Sequence, residues 1–216
     1  IIRVLGEDDR TYLDTLAIGE EYVPLGTKTL QLKNASQLQV SDEIIIKKPL
    51  TKKWLKALNT EYFGGESGWI GWKTRSWDIR ANRTITKIED NKITLNAPLT
   101  FVSDDFSKIE VIKYNWEGRI KNVGIENLRI QSTYDTSNLK DEQHRWFGIT
   151  MKNVKDAWVR QVGFKHLAGG AVSLLKTAQQ ITVEDCISTE PISEIAAHRR
   201  QTFYTEGQQT LFQRCY

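Results

Sequence analysis

Apolar residues in this chain fall in short alternating or unbroken runs, and almost nowhere at helical spacing. Thr29-Leu30-Gln31-Leu32, Glu43-Ile44-Ile45-Ile46, Thr84-Ile85-Thr86-Lys87-Ile88, Lys92-Ile93-Thr94-Leu95 and Glu110-Val111-Ile112 read as strands. Glu89-Asp90-Asn91 separates two of them and predicts a tight hairpin. The best helix candidate, Thr51 to Leu58, is short and follows Pro49. Residues from about 22 to 113 therefore read as short antiparallel strands interrupted by a long loop over residues 59–80.

The second half follows a different rule. Gly124-Ile125-Glu126-Asn127-Leu128, Trp158-Val159-Arg160-Gln161-Val162, Thr182-Val183-Glu184-Asp185-Cys186 and Leu211-Phe212-Gln213-Arg214-Cys215 superimpose as apolar, two polar, apolar. Their first apolar residues lie 34, 24 and 29 positions apart. Phe147-Gly148-Ile149-Thr150-Met151 and Ala171-Val172-Ser173-Leu174-Leu175 supply further strands between them. One such coil cannot bury its own apolar face, and stacking coils builds a continuous core. Parallel strands need long returns, which intervals above twenty supply. Variable spacing around a fixed strand pattern predicts a β-helix rather than a strict-period repeat. A βαβ arrangement competes, but the connections carry no clear helical pattern.

The fold class that follows is all-β: a parallel β-helix, or solenoid, preceded by a small antiparallel β module. The expected divisions are a lead-in over 1–21, the antiparallel module with its Trp- and Gly-rich loop over 22–118, and the first coils over 119–216. The chain opens on Ile1-Ile2 and closes on an apolar strand, so it is expected to continue at both ends, and the lack of a signal peptide in it says nothing about localisation. Val183 and Cys186, three apart, point inward together only if the strand bends between them. Cys186 and Cys215 then share one inward ladder as reduced thiols, their side chains parallel rather than facing.

Composition narrows the partners. The net charge of +3 on 216 residues argues against a protein that grips nucleic acid with a dense basic face. No apolar run is long enough to span a membrane as a helix. Two cysteines without CxxC spacing suit neither a disulfide scaffold nor a zinc site. Four of the seven tryptophans fall in or beside one loop: Trp54, Trp69, Trp72 and Trp77, among four glycines. An indole face suits the apolar face of a sugar ring, so Trp69, Trp72 and Trp77 are candidate glycan contacts, and the loop is expected to project with at least one of them exposed. They serve equally well as plugs at the end of a core.

Family resemblance adds a class. Tyr22-Val23-Pro24-Leu25-Gly26, Leu30 to Ser36 and Leu38 to Ile44 resemble the module before the first coil of many secreted β-helix proteins, and Ile93-Thr94-Leu95-Asn96-Ala97-Pro98-Leu99 looks like its second half. Asn122 to Leu128 and Val183-Glu184-Asp185-Cys186 resemble coils of the pectate-lyase-like superfamily. His198-Arg199-Arg200-Gln201-Thr202-Phe203-Tyr204 is similar to a stretch of uncharacterised bacterial members, often from Bacteroidota. The resemblance covers about residues 22 to 216 and carries no complete catalytic signature. It implies a right-handed β-helix and a carbohydrate-directed protein that is extracellular, on the cell surface or in the periplasm. The superfamily spans lyases, glycoside hydrolases, epimerases and inert adhesins or tailspikes, so fold alone does not choose an activity.

The favoured activity is β-elimination on an acidic, uronic-acid polysaccharide. A lyase needs a cation to neutralise the substrate carboxylate and a base to take the adjacent proton. Lys165 and His166, with Arg160 in the preceding strand, form one candidate cluster. His198, Arg199 and Arg200 with Tyr204 form another, about one coil away, and the two are expected to share a groove. Arg145 and Trp146, beside His144 at the end of the loop Thr133 to Gln143, are candidate substrate contacts. These residue types at coil corners also commonly satisfy turn carbonyls or remain solvated. A hydrolase would instead use paired carboxylates, for which Asp141-Glu142, Glu184-Asp185, Glu190 and Glu194 are available. Calcium at Glu184 is conceivable only with further oxygen ligands. The rival reading is a non-catalytic glycan-binding or structural subunit of a cell-surface assembly.

Overall fold

The computed structural model describes residues 1–60, 71–74, 78–196 and 199–216. It is an all-β protein in two compact units. Ile1–Asp9 with Trp116–Tyr216 form one, and Arg10–Asn115 form the other. Strand β1 (Ile2–Leu5) belongs to the first unit. The second contains β2 (Thr11–Ala17), β3 (Thr29–Gln31), β4 (Glu43–Lys48), the short helix α1 (Lys52–Ala57), β5 (Ile79–Glu89), β6 (Lys92–Leu95) and β7 (Glu110–Asn115).

These six strands form one antiparallel sheet in the order β2-β7-β4-β5-β6-β3. Leu30, Ile44, Ile46, Ile85, Ile93, Leu95 and Val111 pack in its core. The expected hairpin joins β5 to β6: Glu89 pairs with Lys92, and Asp90 takes the left-handed conformation at φ 52°. Thr51 caps α1 by accepting the Trp54 N–H at 3.1 Å. Arg83 is buried among carbonyls, donating to Ala97 at 3.0 Å, Pro98 at 2.6 Å and Asn82 at 2.8 Å. Burial pushes its pKa below the ordinary guanidinium range.

The other unit holds β8 (Ile120–Gln131), β9 (Phe147–Lys152), β10 (Val154–Lys165), β11 (Gly170–Leu174), β12 (Gln179–Glu184), β13 (Ile187–Thr189), β14 (Phe203–Thr205) and β15 (Leu211–Gln213). They make two sheets in which every pairing is parallel. One runs β1-β9-β11-β14. The other runs β8-β10-β12-β15, with β13 beside the C-terminal half of β10. The chain passes from one sheet to the other and back, adding a strand each time. The register is the one the repeats predict: Ile125 opposes Val159, Val159 opposes Val183, and Val183 opposes Phe212.

The strand bends where parity required it. Asn127, Gln161, Asp185 and Arg214 are in register and all left-handed, with φ of 57°, 53°, 53° and 50°. A residue in that conformation resets the alternation of side chains. Ile125 and Leu128, Val159 and Val162, and Val183 and Cys186 therefore all face one core. A second column, Asn122, Asp156, Gln180 and Gln209, repeats the device five residues earlier in each case. Cys186 is buried and Cys215 half-buried, both as free thiols against that core. Burial raises the Cys186 pKa.

The lead-in is divided differently from the expectation. Ile2 and Val4 point into the parallel core through β1, whereas β2 pairs antiparallel with β7. Each segment is too short for its alternation to reveal its partner, since only the register with a distant strand decides that.

Gln161 is exposed and serves the bend alone, so it isolates the backbone effect. Gln161→Gly should leave stability unchanged or slightly raised, because glycine tolerates positive φ. Gln161→Val should cost about 1–3 kcal/mol, because a β-branched residue is strained there. Urea unfolding of the two variants checks this, and equal midpoints would deny the bend its structural weight.

Candidate functional site

The predicted basic residues divide by what they touch. Lys165 and His166 end β10 and both bind one carboxylate: Lys165 Nζ lies 2.8 Å and His166 Nε2 3.0 Å from the two oxygens of Glu190. His166 and Glu190 directly follow the paired ends of β10 and β13, and both are left-handed, with φ of 58° and 49°. The His166 ring is therefore tied to the equivalent residue beside the neighbouring strand. Lys165 and then His166, through hydrogen bonds, hold the Glu190 carboxyl below its usual range.

Arg199 grips Glu142 through Nε at 2.5 Å and Nη2 at 3.3 Å. Arg200 donates to the Ser193 hydroxyl at 3.0 Å and to its carbonyl at 2.5 Å. Segment 190–194 thus receives Lys165 and His166 at Glu190 and Arg200 at Ser193. His198 lies outside the described residues. Tyr204, on β14, donates to Glu206 at 2.7 Å. Arg160, on the outer face of β10, bonds Glu126. Neither Tyr204 nor Arg160 binds the residues that hold the other clusters.

The loop between β8 and β9 builds a concavity of about 470 Å³, lined by Tyr134, Asp135, Asp141, Gln143, His144 and Arg145 among others. That is within the roughly 300–1,000 Å³ typical of ligand pockets. The loop is braced by its own carboxylates. Asp141 accepts the backbone N–H groups of Asp135 at 3.0 Å and Gln143 at 2.8 Å, which lowers its pKa. His144 is spanned: Nδ1 lies 3.1 Å from the Ser132 hydroxyl and Nε2 3.0 Å from the Ile192 carbonyl. Tyr134 stands edge-on to His166, with ring centroids 4.8 Å apart. Its hydroxyl has no partner among the described residues. Trp146 is half-buried, its Nε1 donating to the Glu142 carbonyl at 3.0 Å.

Arg145 differs from the other candidate cations in the described residues. It is exposed on the pocket lining, and its guanidinium makes no ion pair or hydrogen bond there. The carboxylates proposed for a hydrolase are engaged: Glu142 by Arg199, Glu190 by Lys165, Glu194 by Lys140 at 3.2 Å, and Glu184 and Asp185 by Arg214. Arg214 holds the Asp185 carboxyl below its usual range. No group of three or more His, Cys, Asp or Glu side chains is placed to hold a metal among the described residues. Trp69 and Trp77 lie outside the described residues. Trp72 is half-buried, and its N–H donates to the Thr60 carbonyl at 3.0 Å.

Sequence reading did not single out Tyr134, Glu142 or Glu190 as partners of these cations. Only Glu190 carried a signal, since it follows His166 by the 24-residue coil interval that separates Val159 from Val183.

No protein-family model and no curated protein matches the chain. Three phage tailspikes of known structure are similar to it. The tailspike gp61 of Pseudomonas phage phi297 is 12% identical over 95% of this chain and 42% of its own, with a TM-score of 0.45. The Gp54 tailspike of Acinetobacter baumannii bacteriophage AP22, solved in complex with A. baumannii capsular saccharide, is 11% identical over 99% and 42%, with a TM-score of 0.41. The tailspike gp49 of Pseudomonas phage LKA1 is 10% identical over 99% and 39%, with a TM-score of 0.38. The chain spans about two fifths of the length of these proteins.

The Glu190 pair predicts a local pH dependence. Its folded pKa lies below the unfolded one, so its contribution is full above the ordinary carboxylate range and disappears as pH falls through the lowered value. Protection factors over residues 187–192, taken relative to the intrinsic exchange rate at each pH, should fall on acidification through that range. Glu190→Gln should show the lower protection already at neutral pH and lose the acid-dependent fall. An unchanged fall would assign it to another group.

Proposed function

We infer that this chain is part of a carbohydrate-directed protein whose loop pocket at Tyr134–Arg145 binds an acidic polysaccharide. The observation that carries the reading is Arg145. Lys165, His166, Arg199, Arg200 and Arg160 are already neutralised or bonded within the protein, while Arg145 lines a sugar-sized concavity with its guanidinium unpaired among the described residues. A guanidinium fork matches a carboxylate in two parallel hydrogen bonds. Gln143 and Asp135 supply donor and acceptor groups for ring hydroxyls on the same wall.

The fold supports the same reading. Two parallel sheets visited alternately, with in-register bends, suit successive coils of a parallel β-helix, and the near-universal handedness of parallel crossovers favours the right-handed form of the pectate-lyase-like superfamily. Such a solenoid presents loops on a rigid frame. An acidic polysaccharide as ligand would suit a setting outside the cytoplasm, in the extracellular space, at the surface or in the periplasm, and a surface assembly fits that setting.

Cleavage by β-elimination is the second reading, favoured by one feature. Tyr134 lines the same pocket, and its phenol is unbonded among the described residues. Arg145 would neutralise the uronate carboxylate and so acidify the neighbouring C–H. Tyr134, acting as its phenolate, would take that C5 proton, the C4–O bond would break as the C4=C5 double bond forms, and the departing glycosidic oxygen would take the proton back from the phenol. Calcium enters neither reading, because the carboxylates considered for it are paired with Arg214.

Arg145→Ala should weaken retention of the chain on immobilised polygalacturonate, alginate or hyaluronate at least tenfold, and added salt should weaken the parent chain. Unchanged retention would remove Arg145 and the pocket with it. If the chain is a lyase, the parent generates ultraviolet absorbance from the unsaturated uronate product, and Tyr134→Phe abolishes it while retention persists. Retention without absorbance selects the non-catalytic reading.

A further inference from the structure

The outer face of the β8-β10-β12-β15 sheet carries a second constellation. Gly124, Trp158, Thr182 and Leu211 form one outward row across it. The Trp158 indole lies across Gly124. A Cβ on residue 124 would come to 2.6 Å of Nε1 and nearer still to Cε2 and Cζ2, three consecutive ring atoms at similar range. Glycine is thus the one residue that lets the ring lie down on the sheet. In this position Trp158 still keeps 38% of its surface exposed.

The ring is also fixed in place. Its Nε1 donates to Glu126 Oε2 at 3.2 Å, and Arg160 Nε donates to the same oxygen. Glu126 and Arg160 are opposed residues in the neighbouring outward row. Two sets of groups remain open: Glu126 Oε1, and both terminal nitrogens of Arg160, make no hydrogen bond among the described residues, although the opposed Glu184 carboxylate also attracts the guanidinium. A flat aromatic surface is therefore bordered by one free acceptor and two free donors. Trp158 and Arg160 project from alternate positions of one strand, about 6.6 Å apart along it, close to the width of a single hexose ring.

We propose that Trp158, Glu126 and Arg160 form a binding subsite for a neutral pyranose unit of a glycan, separate from the loop pocket. The indole stacks against the apolar C–H face of the sugar. Glu126 Oε1 accepts from one ring hydroxyl, and Arg160 donates to its neighbour. A neutral sugar is specified because the two charges already balance: the Arg160 hydrogen bond, and then that of Trp158, hold the Glu126 carboxyl below its usual range, so the pair stays ionised. A uronate here would meet the Glu126 carboxylate. Covering a glycine requires only an apolar side chain; it does not require a tethered indole with polar atoms left open beside it. The subsite does not depend on the loop pocket, and each can fail alone.

The test uses the full chain and two neutral probes, cellohexaose and maltohexaose. The Trp158 indole N–H resonance is assigned by its disappearance in Trp158→Phe and followed during titration. A saturable shift with at least one hexasaccharide is expected. Trp158→Leu should weaken binding about tenfold, in line with the stacking contribution. Arg160→Ala, which leaves the ring on Gly124, should weaken it several-fold. Arg145→Ala should leave the shift unchanged. No shift with either probe, or undiminished binding by Trp158→Leu, overturns the subsite. If Arg145→Ala alone abolishes hexasaccharide binding, the sugar occupies the loop pocket and the subsite is again overturned. If the shift persists while Arg145→Ala keeps its hold on acidic polymers, the pocket reading fails and the subsite stands.

Discussion

The parallel unit depends on one backbone constraint: at fixed places along the β8-β10-β12-β15 sheet, a polar residue must enter the left-handed region. A straight strand alternates its side chains, so apolar residues three apart would face opposite sides. With Asn127, Gln161, Asp185 and Arg214 left-handed, both flanks of the bend face inward, and each bent segment presents two short apolar edges to one core. Asn and Asp accept that conformation at low cost, while Gln and Arg carry more strain. The columns persist because each bend stacks in register on the next. A coil that skipped its bend would turn half of its apolar residues outward.

Stacking also explains why so many charges are paired. Residues at equivalent places lie about one strand spacing apart, roughly 4.8 Å, so like charges would repel along the row and opposite charges bond. The outward row reads Glu126, Arg160, Glu184, Gln213, and each member meets a complementary neighbour. The pair His166–Glu190 and the Arg214 contacts to Glu184 and Asp185 follow the same logic. Exposed pairs of this kind contribute little each to stability, and their value lies in fixing register. Residues that look like catalytic cations in the sequence are, in the fold, mostly the electrostatic mates of the adjacent coil.

That reassignment leaves few of the candidate cations available to a ligand. Arg145 sits on the loop between β8 and β9, where its guanidinium meets no paired carboxylate among the described residues. Arg160 is paired, but only through Nε, so its remaining donors face outward. The two places differ in character. The loop pocket is concave and presents the Arg145 guanidinium beside the hydrogen-bonded carboxylates of Asp135 and Asp141, whereas the Trp158 face is flat and its Glu126–Arg160 pair is electrically balanced.

Much of this was legible in the sequence. The repeats at Ile125, Val159, Val183 and Phe212 state the coil register outright, because an inward apolar residue leaves a periodic trace. The separation of Val183 from Cys186 even required a bend, and the hairpin at Asp90 follows from its turn residues. Three features were decided only in three dimensions. The partners of β1 and β2 are set by registers with strands more than ninety residues away, which a four- or seven-residue alternation does not encode. Whether Lys165, Arg199 or Arg145 is neutralised depends on carboxylates brought close by coil stacking and loop closure, and charge pairing across space has no sequence period. The position of Trp158 on Gly124 depends on a glycine 34 residues earlier that carries no signal until the two strands lie side by side.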